Sequence, residues 1–120
     1  VREMTVKAGQ KCTAIRRALV PAALLPAAEK AIAEALAKTT IGDPAREEVR
    51  MGALVSLGQR ADVEARLADL SREARVAFSA KASPIGADER GAFVAPTLLV
   101  CDDPARARAV HEVEAFGPVA

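Results

Sequence analysis

Lys7-Ala8-Gly9-Gln10-Lys11-Cys12-Thr13-Ala14 sets a cysteine just after a glycine turn. A thiol acts as a nucleophile only as thiolate, and a free cysteine has a pKa of about 8.5, so a reactive one needs help from its surroundings. Gly9 permits a tight backbone approach, and the turn can present Sγ to a cleft. Backbone N–H groups around Cys12 can steady a developing oxyanion. Lys7 and Lys11 add positive charge, which favours thiolate where either side chain points inward. The plainer reading of a lone cysteine is a small buried hydrophobe. Cys101 takes that plainer reading, because it follows the apolar run Thr97-Leu98-Leu99-Val100.

Outward from the turn, Thr13 to Val20 is β-branched and apolar at intervals and is closed by Pro21, which predicts a strand leaving the cysteine. Pro26 opens a helix over Ala27–Lys38, with Ala28, Ile32, Ala35 and Leu36 at helical spacing and Glu34 set to pair with Lys38. Gly42-Asp43-Pro44 punctuates the exit. Asp43 to Ser56 reads mostly as loop, with room for one short helix. Gln59 to Ala74 is an amphipathic helix, Val63, Leu67, Leu70 and Ala74 on one face and a solvated charged face opposite. Val76–Ala80 reads as a short strand, Ser83–Gly91 as loop or hairpin, Phe93–Val100 as a buried strand and Ala105–Val110 as a short helix. Strands separated by helices imply crossovers, hence an α/β fold: three layers, α/β/α, around a mostly parallel sheet.

Composition narrows the function classes. The 120 residues are 51% hydrophobic and carry a net charge of +1, with acidic and basic residues scattered, so they allow one modest core and give no electrostatic footprint for nucleic acid or an anionic membrane. Phe78, Phe93 and Phe116 are the only aromatic residues, which argues against a base-stacking platform. No run is apolar enough to span a bilayer. Two distant cysteines make no disulfide framework, and a reduced cytoplasmic setting is expected. One histidine and two separated cysteines fit no zinc spacing, so no metal is expected. No phosphate-cradling glycine loop is present.

Four stretches together resemble the aldehyde dehydrogenase family, in that family's order. Gly9-Gln10-Lys11-Cys12 is similar to the Gly-Gln-x-Cys core of its active-site signature. Gly42-Asp43-Pro44 follows, and then Gly91-Ala92-Phe93-Val94-Ala95-Pro96-Thr97-Leu98-Leu99. Glu114-Ala115-Phe116-Gly117-Pro118-Val119 is similar to its Glu-x-Phe-Gly-Pro-Val motif. Arg50 to Ser56 resembles a Gly-Pro-Leu-Ile-Ser segment, with Ala53 in place of the usual proline.

The resemblance implies that Cys12 is the nucleophile. It would form a thiohemiacetal and then a thioester released by water, or by coenzyme A in the acylating branch. It also implies that Glu114 binds the nicotinamide ribose hydroxyls and that Phe116 packs by the nicotinamide of NADP or NAD. Residues 1–120 would be part of one catalytic domain of aldehyde dehydrogenase type. The cofactor-binding domain, the general-base glutamate, the oxyanion asparagine and the oligomerisation segments would lie elsewhere in a longer polypeptide, a homo-oligomer when complete. The 120 residues alone are expected to be inactive. Glu3 to Arg17 is most similar to the dehydrogenase part of the bifunctional proteins of phenylacetic acid degradation, which implies a CoA-linked semialdehyde substrate. Two other readings compete: a noncatalytic binding or scaffold piece of the same fold, and an unrelated thiol acyltransferase. The second needs a base near Cys12, and His111 is the only histidine available.

Overall fold

The backbone before the cysteine turns left-handed. Helix α1 (Arg2–Thr5) runs into a tight turn over Val6–Gly9, where Lys7, Ala8 and Gly9 take φ of 53°, 52° and 71°. An L-residue held there costs about 1–2 kcal/mol, because Cβ crowds the carbonyl oxygen. Only Gly9 escapes that cost. Gln10 N donates to Lys7 O, Lys11 N to Gly9 O and Ala14 N to Lys11 O, which closes the turn on itself. The computed structural model describes residues 1–80 and 83–120.

The strand expected over Thr13–Val20 does not form. This segment has no regular secondary structure, and Ile15 and Leu19 are exposed. No backbone amide from Ile15 to Val20 donates a hydrogen bond among the described residues. A short 3₁₀ turn (Ala22–Leu24) leads into α2 (Leu25–Leu36), which has proline in its first turn, as the sequence predicts, and buries Leu36. The helix ends at Leu36, short of Lys38, so Glu34 pairs with Lys30 rather than with Lys38.

Helix α3 (Leu57–Leu70) is capped by Ser56, whose side chain accepts from Gln59 N. It turns Val63 and Leu70 into the core and leaves its charged face to solvent, with i,i+4 pairs Arg60–Glu64 and Asp62–Arg66. Strand β1 (Arg75–Ser79) then pairs antiparallel with β2 (Thr97–Val100). The connection holds loop around Ser83–Gly91 and no described helix, so the chain returns as a wide hairpin. A parallel neighbour would have needed a crossover of a dozen or more residues, usually helical.

Parallel pairing appears elsewhere. On the other side of β2, Thr97 N donates to Pro118 O and Leu99 N to Ala120 O, which lays residues 118–120 alongside it. Ile41 bridges Met51, and Gly42 bridges Ile85, both in parallel. The expected buried strand Phe93–Val100 is buried over most of its length, but its ladder begins only at Thr97. Pro96 has no N–H to donate. Helix α4 (Ala109–Glu112) starts later than the expected Ala105. The larger core joins Ala8, Ile41, Met51, Val63, Phe93 and Val119, and a smaller one joins Met4, Leu36 and Leu98.

Candidate functional site

Two glycines bring the ends of the chain together. A Cβ built on Gly9 would lie 2.2 Å from Gly117 O and 2.5 Å from Gly117 C, so only glycine lets the cysteine turn seat against the Glu114–Val119 motif. The turn is also tied to the loop at Val55, whose amide donates to Gln10 Oε1 at 2.8 Å. That loop is backed in turn by Leu54 N donating to Ala92 O at 2.8 Å. Lys11 Nζ pairs with Glu3 Oε2 at 2.6 Å, and this holds the Glu3 carboxyl below its usual range.

These contacts shape an open cleft of about 650 Å³. Lys7, Ala8 and Gln10 of the turn line it, with Pro44, Gly52, Ala53, Val55, Gln59 and Phe116. Segments far apart in sequence therefore meet at one opening: the cysteine turn, the Gly42-Asp43-Pro44 punctuation, the Arg50–Ser56 segment and the motif near Phe116. Cys12 stands exposed two residues beyond Gln10 and is not among the lining residues. Cys101 is half-buried and free.

Glu114 lies just past α4 with its side chain 62% exposed, and its Oε1 accepts from Arg16 Nε at 3.2 Å. Phe116 is half-buried, and the Arg16 guanidinium stands 5.0 Å from its ring centroid, within cation–π range. Arg16 also donates through Nη2 to Gly9 O at 2.8 Å. Arg17, next in the chain, hydrogen bonds to the carbonyls of Val110, His111 and Val113. Residue types and spacing gave no signal for the two arginines, because their partners lie about a hundred residues away.

The acyltransferase reading, which needs His111 as a base near Cys12, gains no support from the geometry. His111 is exposed, its Nε2 is engaged with Pro104 O at 2.7 Å, and no hydrogen bond joins it to Cys12 among the described residues. Among those residues no group of three or more His, Cys, Asp or Glu is placed to hold a metal ion.

The whole chain, residues 1–120, matches the Aldehyde dehydrogenase family. It is 51% identical over 123 residues to a 3,4-dehydroadipyl-CoA semialdehyde dehydrogenase of Aromatoleum evansii, covering 100% of this chain and 24% of that protein. Among solved structures it is similar to a double mutant of betaine aldehyde dehydrogenase of Staphylococcus aureus, in complex with NAD+ and with a BME-modified cysteine. The TM-score is 0.82 at 29% identity, over 98% of this chain and 24% of that one. A mutant of Proline Utilization A of Bradyrhizobium japonicum matches with a TM-score of 0.76 at 26% identity, over 94% of this chain and 11% of that one. The chain thus spans about a quarter of the length of the semialdehyde dehydrogenase it matches.

Proposed function

Because this chain belongs to the aldehyde dehydrogenase family, we propose that the full polypeptide oxidises an aldehyde to a carboxylic acid with NAD or NADP, and that Cys12 is its nucleophile. The observation that carries this reading is the meeting of Gln10, Pro44, Ala53 and Phe116 at one cleft beside the cysteine turn. The 51% identity to a CoA-semialdehyde dehydrogenase supports a CoA-linked semialdehyde as substrate, and the Glu3–Arg17 resemblance extends that expectation to phenylacetate breakdown.

The chemistry would run through the Cys12 sulfur. The thiolate adds to the carbonyl carbon, a C–S bond forms, and the carbonyl π pair moves to oxygen as a thiohemiacetal oxyanion. The amides of Cys12 and Thr13, which donate no backbone hydrogen bond among the described residues, would be the donors left to steady that charge. The bound nicotinamide supplies the hydride acceptor. As hydride leaves the carbon, the oxygen pair re-forms C=O and a thioester remains on Cys12. Water then adds and gives up a proton to solvent, the C–S bond breaks, and the acid departs with thiolate restored. Covalent catalysis of this sort replaces one hard oxidation with two easier steps. Release to coenzyme A instead of water is the acylating alternative.

The residues present fit the nicotinamide–ribose part of the cofactor. Glu114 is a largely exposed carboxylate with acceptor sites beyond the one Arg16 uses. Phe116 offers a ring at the edge of the cleft. The complete catalytic domain would be the three-layer α/β/α arrangement, with residues 1–120 as one part of it, inside a cytoplasmic homo-oligomer. No described helix is long and apolar enough to cross a membrane.

The test uses the full polypeptide with a CoA-linked semialdehyde and NAD or NADP. Cys12→Ser should lower the rate at least about a thousandfold, as removal of a nucleophile does. Aldehyde should shield Cys12 from iodoacetamide in the wild type. Retained activity in Cys12→Ser would sink the reading. The 120-residue chain alone should reduce neither cofactor.

A further inference from the structure

One side chain touches every part of the candidate site that the backbone contact at Gly9–Gly117 brings together. Arg16 is mostly buried, with 12% of its side chain exposed. Its Nε donates to Glu114, its Nη2 to Gly9 O at 2.8 Å and its Nη1 to Gly117 O at 3.5 Å, and its guanidinium covers one side of Phe116. Among the described residues it is the sole hydrogen-bond partner of the Glu114 carboxylate. A planar fork of fixed donors can hold several acceptors in one geometry, which a lysine cannot do.

We propose that Arg16 is a positioning residue that links ligand occupancy at Glu114 and Phe116 to the presentation of Cys12. The inference rests on the roles proposed above for Cys12 and Glu114. Gly9, whose carbonyl Arg16 holds, is three residues before Cys12 and sits at the left-handed turn that aims it. A hydroxyl-bearing ligand that hydrogen bonds to the acceptor sites Arg16 leaves open reorients the Glu114 carboxylate and with it the Arg16–Glu114 pair. The same guanidinium then transmits that change to the Gly9 carbonyl. Coupling of this kind is reciprocal: a change that biases the turn also changes the affinity at Glu114.

The experiment uses the full polypeptide with NAD and NADP as probes. Arg16→Ala should raise the cofactor KM about tenfold with a smaller change in kcat, because the Glu114 carboxylate loses the donor that holds it in place. Arg16→Lys keeps the charge without the fork and should recover only part of that loss. In the wild type the cofactor should change the rate of Cys12 alkylation by iodoacetamide, and in Arg16→Ala that response should vanish. If Arg16 acts through Glu114, adding Arg16→Gln to Glu114→Gln should change the cofactor KM no further. Additive effects, or a cofactor KM within about twofold of wild type in both single variants, would overturn the proposal. A fall in melting temperature with unchanged cofactor KM would overturn it too, as the mark of a purely structural role. If Arg16→Ala does not fold, Arg16→Lys and Arg16→Gln carry the same comparison. Loss of activity in Cys12→Ser alongside wild-type behaviour of the Arg16 variants would overturn this inference alone and leave the catalytic reading standing.

Discussion

The turn at Lys7–Ala14 and the segment directly after it, Ile15–Leu24, are neighbours in sequence and opposites in how they are held. The turn is fixed on every side: by its own backbone hydrogen bonds, by Glu3 through Lys11, by Val55 through Gln10 and by Gly117 through Gly9. The segment is attached by two arginine side chains and little else, and Leu19 is 96% exposed. Apolar side chains enter a core only where a neighbour covers them, and among the described residues none covers Leu19. The left-handed residues of the turn, by contrast, persist because many short contacts over-determine them.

The sharpest way to break this comparison is Gly9→Ala. The new Cβ would meet Gly117 backbone at a positive φ, so stability should fall by about 3–4 kcal/mol in denaturant unfolding. Gly117→Ala is the milder partner. The nearest atoms to its Cβ would be the two γ-carbons of the buried Val63 at 2.9 Å rather than backbone, and its φ is not left-handed, so a smaller loss of about 1–3 kcal/mol is expected. Equal losses in the two variants would show that the contact is not as one-sided as the distances say.

A smaller effect is expected from acid. Glu3 has its carboxyl pKa lowered by the hydrogen bond and charge of Lys11. A lowered folded value means that its contribution is present above the unfolded pKa and is lost as pH falls through the folded one. The turn should loosen below the ordinary glutamate value of 4.5, and Glu3→Gln should remove that part of the pH dependence. Measured as protection of the Lys11 amide against pH, an unchanged profile in Glu3→Gln would refute the assignment. The smallest effect needs no mutation. No backbone amide from Ile15 to Val20 donates a hydrogen bond among the described residues, so in hydrogen exchange on this chain those amides should be unprotected while those of Gln10, Lys11 and Ala14 are slowed.

Local pattern made the Val63–Leu70 face, the proline at the start of α2 and the turn before Cys12 readable, because each depends on residues a few positions apart. Three features were not readable. The Thr13–Val20 strand required an edge to pair with, and strand preference says nothing of whether one is present. The hand of the β1–β2 pair depends on what lies between them, and a stretch with Pro84, Gly86 and Gly91 favoured a return over a crossover. The roles of Arg16 and Arg17 depend on partners at the far end of the chain, where spacing carries no signal. The segments of the candidate site were legible as motifs. Their convergence on one cleft, and the exposed stance of Cys12 beside it, came only with the fold.

The cation resting against Phe116 has a consequence for any flat molecule that enters the cleft. A benzene ring offers two sides for stacking, and here the guanidinium claims one of them. A planar guest is left a single side on which to lie, so its approach to this ring is handed before any polar group has chosen its orientation.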